Sequence, residues 1–213
     1  QKASNSSTHT MLVGVTCGIS APYVAGQVAH MLERQIGETP CVGGNAVCLV
    51  GFNPIQMARK TSIKGLPLGW NSFVDVAAAM HVHRSDKCTI LNPVVGGEPI
   101  AGSSRMKGGS ATRVILDVLC MRSLFLAGLI PRDHHLHDLS SRSVLEIMCE
   151  YQRVHASVYS VCGKSLPMLM GAAAGALRGG GRVYYIGLGA AAVVGGIDLS
   201  EMPDTYGAPF DQM

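Results

Sequence analysis

The sequence is poor in charge and in aromatic residues, and it has no long basic or acidic run. Charged residues make up 15% of its 213 residues and aromatic residues 5%, against 47% hydrophobic residues. So apolar a chain is not disordered and should bury a large core. Its formal net charge of +3 is dispersed, because no Lys/Arg run exceeds a dipeptide. This pattern excludes a nucleic-acid-binding footprint, whereas a small positive balance suits an anionic small ligand.

The sequence also lacks paired cysteines, since none of its seven cysteines forms a C-x-x-C pair. Neither a zinc site nor a disulfide framework is indicated, and the thiols are interpreted as those of a reduced cytoplasmic or nuclear protein. Residues 1–10 are polar and give no secretory signal. The longest apolar stretch, residues 183–197, contains four glycines and is shorter than the ~20 residues of a membrane span. We predict no membrane partner, and because the chain starts at Gln1 rather than a methionine we expect a fragment.

Glycine is abundant instead, with 26 residues, many of them after short apolar runs. The β-compatible runs are residues 11–15, 47–52 and 88–91, and the helical patterns between them are residues 22–35 and 73–83. Strands that alternate with helices at these spacings predict an α/β fold, a parallel sheet with helices on its faces.

The rest of the chain has a different pattern. Residues 106–178 are largely helical in periodicity, and a further strand at 183–186 is followed by a glycine turn and a helix to about residue 201. We therefore predict the C-terminal portion of a first α/β domain over residues 1–130, a helical connector over 131–178, and the N-terminal portion of a second α/β domain over 179–213. The histidine-rich stretch 133–138 is interpreted as surface, and no metal is predicted.

One candidate anion site is the loop between the first strand and the first helix. Thr16, Cys17, Gly18 and Ser20 lie there, just before Pro22. Hydroxyl groups and the free N–H groups of a helix start bind anions; the alternative is that Ser20 only caps the helix. The loop is not a nucleophile elbow, because G-x-S-x-G needs a glycine where Pro22 stands.

The other candidate site is the loop before the long helix. Ser103, Ser104, Arg105 and Lys107 lie there among several glycines, and arginine and lysine are phosphate-binding side chains. This density of donors exceeds what a helix cap requires, although the G-x-x-x-x-G-K-[ST] phosphate loop is not matched. For Glu98, a carboxylate embedded in the same glycine-rich region, three roles stay open: bonding sugar hydroxyls, acting as a base, or bracing Arg105.

A dinucleotide cofactor is not predicted. Gly187 and Gly189 begin a G-x-G-x-x-G pattern, but Ala192 stands at its third glycine. No other cofactor is predicted, and no catalytic residue can be assigned from the sequence alone.

Residues 91–99 (L-N-P-V-V-G-G-E-P) and 102–112 (G-S-S-R-M-K-G-G-S-A-T) resemble the signature of the family that unites the N-acetylmuramic acid 6-phosphate etherases with the glucokinase regulatory proteins. Its members are built from sugar isomerase (SIS) domains, three-layer αβα folds with a parallel sheet. Residues 18–27, 49–59 and 107–110 are more similar to the regulatory branch of the family, and residues 181–210 resemble the opening of a second SIS domain.

The resemblance implies a site for a ketohexose phosphate of the fructose 6-phosphate or fructose 1-phosphate type, with both loops around the ligand and Glu201 supplied by the second domain. Together with the residues chosen from the loops themselves, the predicted sugar-phosphate-binding set is Thr16, Cys17, Gly18, Ser20, Glu98, Ser103, Ser104, Arg105, Lys107 and Glu201.

The function implied is that of a non-catalytic regulator, which senses fructose phosphates and inhibits a glucokinase- or hexokinase-type partner. The alternative is a lyase of the etherase kind, or a sugar-phosphate isomerase, with its chemistry supplied by residues that precede Gln1.

Overall fold

A computed structural model of the chain describes residues 9–36, 45–83, 87–100, 103, 105–207 and 209. The chain divides into two compact units, Gln1–Ile115 and Leu116–Met213.

The first unit is built on a parallel sheet. Its strands are β1 (Met11–Val15), β2 (Ala46–Val50) and β3 (Cys88–Leu91), hydrogen-bonded in the order β1-β2-β3. Parallel neighbours need a crossover connection. Here α1 (Pro22–Ile36) lies between β1 and β2 in the chain, and a short 3-10 turn (Ile55–Met57) and α2 (Phe73–Val82) lie between β2 and β3.

The central strand β2 separates two apolar layers. Val47 and Leu49 belong to the core cluster that includes residues of α1 and α2. Cys48 and Val50 belong to a second cluster, against which Ile115 packs. Because successive side chains of a strand point to opposite faces, helices cover both faces of the sheet. The predicted α/β fold class with αβα layers is confirmed.

The helices α1 and α2 both pack in the first of these clusters, and local sequence patterns explain their positions. In α1, Ala25, Val28, Ala29 and Leu32 are completely buried, and their spacing places them on one helix face. α2 begins with a capping box, in which the hydroxyl of Ser72 accepts from a backbone N–H of the first turn.

The long helix α3 (Lys107–Leu126) begins in the first unit and ends in the second. The second unit also contains α4 (His137–Ser141), α5 (Val144–Cys162), α6 (Ser165–Arg178) and α7 (Gly189–Tyr206). The Arg122 guanidinium donates at 3.0 Å to the carbonyls of Ser140 and Ser141, which ties α3 to the end of α4. The Tyr151 hydroxyl donates to Asp117 at 2.7 Å, which ties α5 to α3.

The predicted strand at residues 183–186 is wrong for this chain. Residues 181–188 carry no regular secondary structure, and within the described ranges the sheet contains only the strands of the first unit. An extended segment counts as a strand only when another strand pairs with it. The helix after it is confirmed, and it continues to Tyr206 with Pro203 inside it.

The largely helical nature of residues 106–178 is also confirmed, and the histidine-rich stretch includes the start of α4. The division into a first domain, a connector and a second domain at residues 130 and 178 stays a prediction. Among the described helices, none combines the length and the apolar character needed to cross a bilayer.

Candidate functional site

Both predicted loops lie at the same edge of the sheet. Each described strand leads into a loop there: residues 16–21 follow β1, residues 51–54 follow β2, and residues 92–100 follow β3. In open parallel α/β sheets this carboxyl edge is where ligands bind. The candidate site of the first unit is therefore formed by these strand ends and the start of α3.

The loop after β1 is closed on itself. Thr16 is buried, its backbone N–H donates to the carbonyl of Val50 at 3.0 Å, and its hydroxyl oxygen accepts from the backbone N–H of Ser20 at 3.4 Å. Ile19 is fully buried with a positive φ of 50°, an unusual conformation for a β-branched residue. Ser20 is exposed, so its side chain is accessible to solvent.

Hydrogen bonds join the loops that follow the three strands. The carbonyl of Cys17 accepts from the backbone N–H groups of Phe52 and Asn53, at 2.9 and 3.2 Å. The side-chain amide of Asn92 donates to the carbonyls of Gly51 and Asn53 at 2.8 Å each. The sequence reasoning missed both asparagines, although each stands directly before a proline at a strand end, in Asn53-Pro54 and Asn92-Pro93.

Glu98 caps the helix that follows its loop. Its two carboxylate oxygens accept from the backbone N–H groups of Lys107 and Gly108, at 2.8 and 2.7 Å. A helix leaves its first N–H groups without intrahelical acceptors, and a carboxylate there is further favoured by the helix dipole. This role was not among the three that the sequence left open for Glu98. Because they donate to Glu98, these two N–H groups are not available to bind a phosphate.

Gly108 brings the two loops together. A Cβ atom added at Gly108 would lie 2.7 Å from Sγ of Cys17 and 3.1 Å from Oε1 of Glu98. A Cβ added at Gly96, where φ is +80°, would lie 3.8 Å from Nζ of Lys107. The ammonium group of Lys107 therefore lies over the glycine-rich loop in which Glu98 stands.

The other predicted residues fall into three groups. Gly18 lies close to the exposed loop surface, where a Cβ would be 3.2 Å from Oγ of Ser20. Ser103 and Arg105, in the segment before α3, are half-buried, and Ser104 lies outside the described residues. Glu201 is a half-buried residue of α7, in the second unit.

The predicted site residues offer mainly hydroxyl groups and cations. Over the described ranges, no group of histidine, cysteine, aspartate and glutamate side chains could hold a metal ion. The neighbouring thiols of Cys48 and Cys88 are buried in the sheet, and desolvation raises the pKa of each. A raised pKa disfavours the thiolate and makes these cysteines poor nucleophiles.

A parallel sheet between helices, with the candidate loops at its carboxyl edge, makes this chain a partial αβα fold, consistent with the sugar isomerase type that its motifs predict. No protein-family profile matches it. It is 36% identical over 98% of its length to a glucokinase regulatory protein of Xenopus laevis, and 34% identical over 99% to the human protein of that name. It is also 30% identical over 55% of its length to an N-acetylmuramic acid 6-phosphate etherase of Aeromonas hydrophila.

The chain is thus homologous over nearly its whole length to the glucokinase regulatory proteins, and over part of it to the etherases, as its motifs predict. It spans 31% of the length of the regulatory proteins that it matches.

Proposed function

We propose that this chain is part of a regulator of a glucokinase- or hexokinase-type enzyme, that it binds a fructose phosphate, and that it inhibits its partner in response. The observation that carries the proposal is the convergence of the two predicted loops at Gly108, where Cys17 and Glu98 both approach the start of α3. A ligand at the carboxyl edge of the sheet would meet both loops at once.

The chemistry of the loops supports a phosphorylated ligand. Lys107 is exposed and Arg105 is half-buried just before α3, and cationic side chains form strong charge-assisted hydrogen bonds with phosphate oxygens. Ser20, an exposed residue with a hydroxyl group, lies in the loop after β1. With the first N–H groups of α3 bound to Glu98, we assign the phosphate to side chains rather than to the helix start.

The extent of similarity favours a regulator over an etherase. Similarity to the regulatory proteins covers both units of the chain, whereas similarity to the Aeromonas etherase covers 55% of it. Glu201, in the second unit, stays a sugar-binding residue predicted from the resemblance.

The proposal is tested by thermal shift of the full-length protein with fructose 6-phosphate, fructose 1-phosphate, sorbitol 6-phosphate and N-acetylmuramic acid 6-phosphate. A ligand at about a hundredfold excess over its Kd stabilises the folded state by about 2.7 kcal/mol. We expect a rise in melting temperature with one of the fructose or sorbitol phosphates, followed by ligand-dependent inhibition of a glucokinase. A response to N-acetylmuramic acid 6-phosphate alone would support an etherase-like function instead.

Arg105→Ala is expected to weaken sugar-phosphate binding, because it removes a charge-assisted bond to the phosphate worth about 1.5–3 kcal/mol. Isothermal titration of the variant measures this loss. Arg34→Ala is the matched control, since Arg34 is an exposed arginine in the last turn of α1, at the end of the helix remote from the loop after β1. Equal affinities for the two variants would remove Arg105 from the site.

A further inference from the structure

The capping of α3 by Glu98 is different in kind from the other helix caps described. In α2 and α5 the capping carboxylates, Asp75 and Glu146, belong to the first turn of the helix that they cap. Glu98 precedes the first residue of α3 by nine positions and reaches it across a loop. Its two hydrogen bonds therefore fix the position of a loop as well as the end of a helix.

The same helix turn also contacts the loop after β1. Sγ of Cys17 lies so close to Gly108 that a Cβ atom there would be only 2.7 Å away. Cys17 belongs to the apolar cluster on the α3 side of the sheet, together with Val95 and Ala111. The first turn of α3 is thus contacted at Gly108 by both the carboxylate of Glu98 and the side chain of Cys17.

We infer that Glu98 is a positioning residue, which clamps the glycine-rich loop after β3 onto the first turn of α3 and thereby holds that loop and the loop after β1 in one fixed arrangement. Both oxygens of the carboxylate are used, at 2.7 and 2.8 Å, and such charge-assisted bonds are about twice as strong as neutral ones. In this role Glu98 contacts the backbone rather than the sugar. The clamp itself is independent of the proposed function. Only the statement that this arrangement of loops binds the ligand rests on that function.

Three variants of the full-length protein separate this clamp from an ordinary helix cap. Glu98→Ala removes both acceptors, and Glu98→Gln keeps one amide oxygen as an acceptor without the charge. Asp75→Ala is the matched control, because Asp75 also accepts from backbone N–H groups at a helix start of the first unit but touches neither ligand loop.

The first measurement needs no ligand. The rate at which iodoacetamide modifies Cys17 is followed by mass spectrometry, with the exposed Cys120 and Cys149 as internal references. We expect Glu98→Ala to raise the relative rate at Cys17, Glu98→Gln to raise it less, and Asp75→Ala to leave it unchanged. The clamp is overturned if Cys17 reacts equally in wild type and Glu98→Ala, or if Asp75→Ala raises the rate as much as Glu98→Ala does.

The second measurement is titration with fructose 6-phosphate and with fructose 1-phosphate. We expect Glu98→Ala to weaken binding at least about tenfold, as the loss of charged hydrogen bonds would, with Glu98→Gln intermediate and Asp75→Ala equal to wild type. Wild-type affinity in Glu98→Ala would show that the clamp does not set the ligand geometry. If wild type binds neither fructose 6-phosphate nor fructose 1-phosphate, the proposed ligand is wrong, and the cysteine measurement still decides whether the clamp exists.

Discussion

Gly108 is a position at which a single methyl group is expected to disturb the candidate site. Glycine within a helix costs about 0.5–1 kcal/mol relative to alanine, so α3 would begin more stably with another residue there. The reason for glycine is that Cys17 and Glu98 both come close to the place that a Cβ atom would occupy. The helix start loses some conformational stability at Gly108, and the absence of a side chain there allows the two loops to come into contact.

Gly108→Ala is expected to destabilise the first unit and to weaken ligand binding, because its Cβ would lie 2.7 Å from Sγ of Cys17. Urea unfolding and ligand titration measure the two effects. Gly26→Ala is the control: Gly26 is also helical, in α1, and a Cβ there would meet no atom within 4 Å. We expect Gly26→Ala to raise the free energy of unfolding by about 0.5–1 kcal/mol. A similar gain from Gly108→Ala would contradict the close contact.

The helices differ in how their starts are stabilised. α2 begins with a local capping box, and backbone donation from Asn71 to the Asp75 carboxylate, at 2.9 Å, is the main reason that the pKa of Asp75 lies below its ordinary value. Ser72 adds to this effect through its hydroxyl and its N–H, while partial burial opposes it. The start of α3 depends instead on Glu98, in a preceding loop.

The contribution of Asp75 to the cap of α2 should be measurable in the pH dependence of the free energy of unfolding. Because the folded state lowers the pKa of Asp75, its contribution is fully present above the unfolded-state pKa of about 3.9 and is lost as the pH falls through the lower folded-state value. We expect the free energy of unfolding of wild type to exceed that of Asp75→Asn by about 1 kcal/mol at pH 7. This difference should vanish in strong acid. Urea unfolding of both proteins over a pH series measures this. A difference that does not change with pH would contradict the assignment.

Structural features that depend on neighbouring residues could be predicted from the sequence, whereas features that depend on residues distant in the chain could not. The strand periodicity and the apolar face of α1 are local, and the predicted bounds of β1 and β3 agree with those observed. The clamp by Glu98 and the two bonds from Asn92 join residues distant in sequence. The positive φ of Ile19 is likewise not visible in the sequence, since isoleucine disfavours it. The sequence thus pointed to these two loops as candidates without giving the contacts that hold them.

Burial is distributed very unevenly over the chain as a whole. The first unit contains two clusters of buried apolar residues around its sheet. In the second unit, Ile147 of α5 is buried, whereas α6 and α7 have no buried residue. α6 is also apolar over most of its length, and Met168, Leu169 and Met170 are exposed in this chain.

Amide hydrogen exchange of this chain should follow the same division. Regions with few buried apolar contacts open at low free energy, and core elements exchange last. We therefore expect β2 and α1 to be the slowest to exchange and α6 and α7 to be the fastest of the helices, as measured by mass spectrometry of peptic fragments. Equal protection of α6 and α1 would show that α6 is covered in solution.

The two asparagines of the strand-end loops are each followed by a proline, in Asn53-Pro54 and Asn92-Pro93. Asparagine commonly ages when the backbone nitrogen of the next residue loses its hydrogen and attacks the side-chain carbonyl, which closes a cyclic imide and leads to deamidation. The nitrogen of proline carries no hydrogen, so this route is closed at both positions. The amide of Asn92, which joins the loops after β2 and β3, is thereby protected against a common form of chemical damage in long-lived proteins.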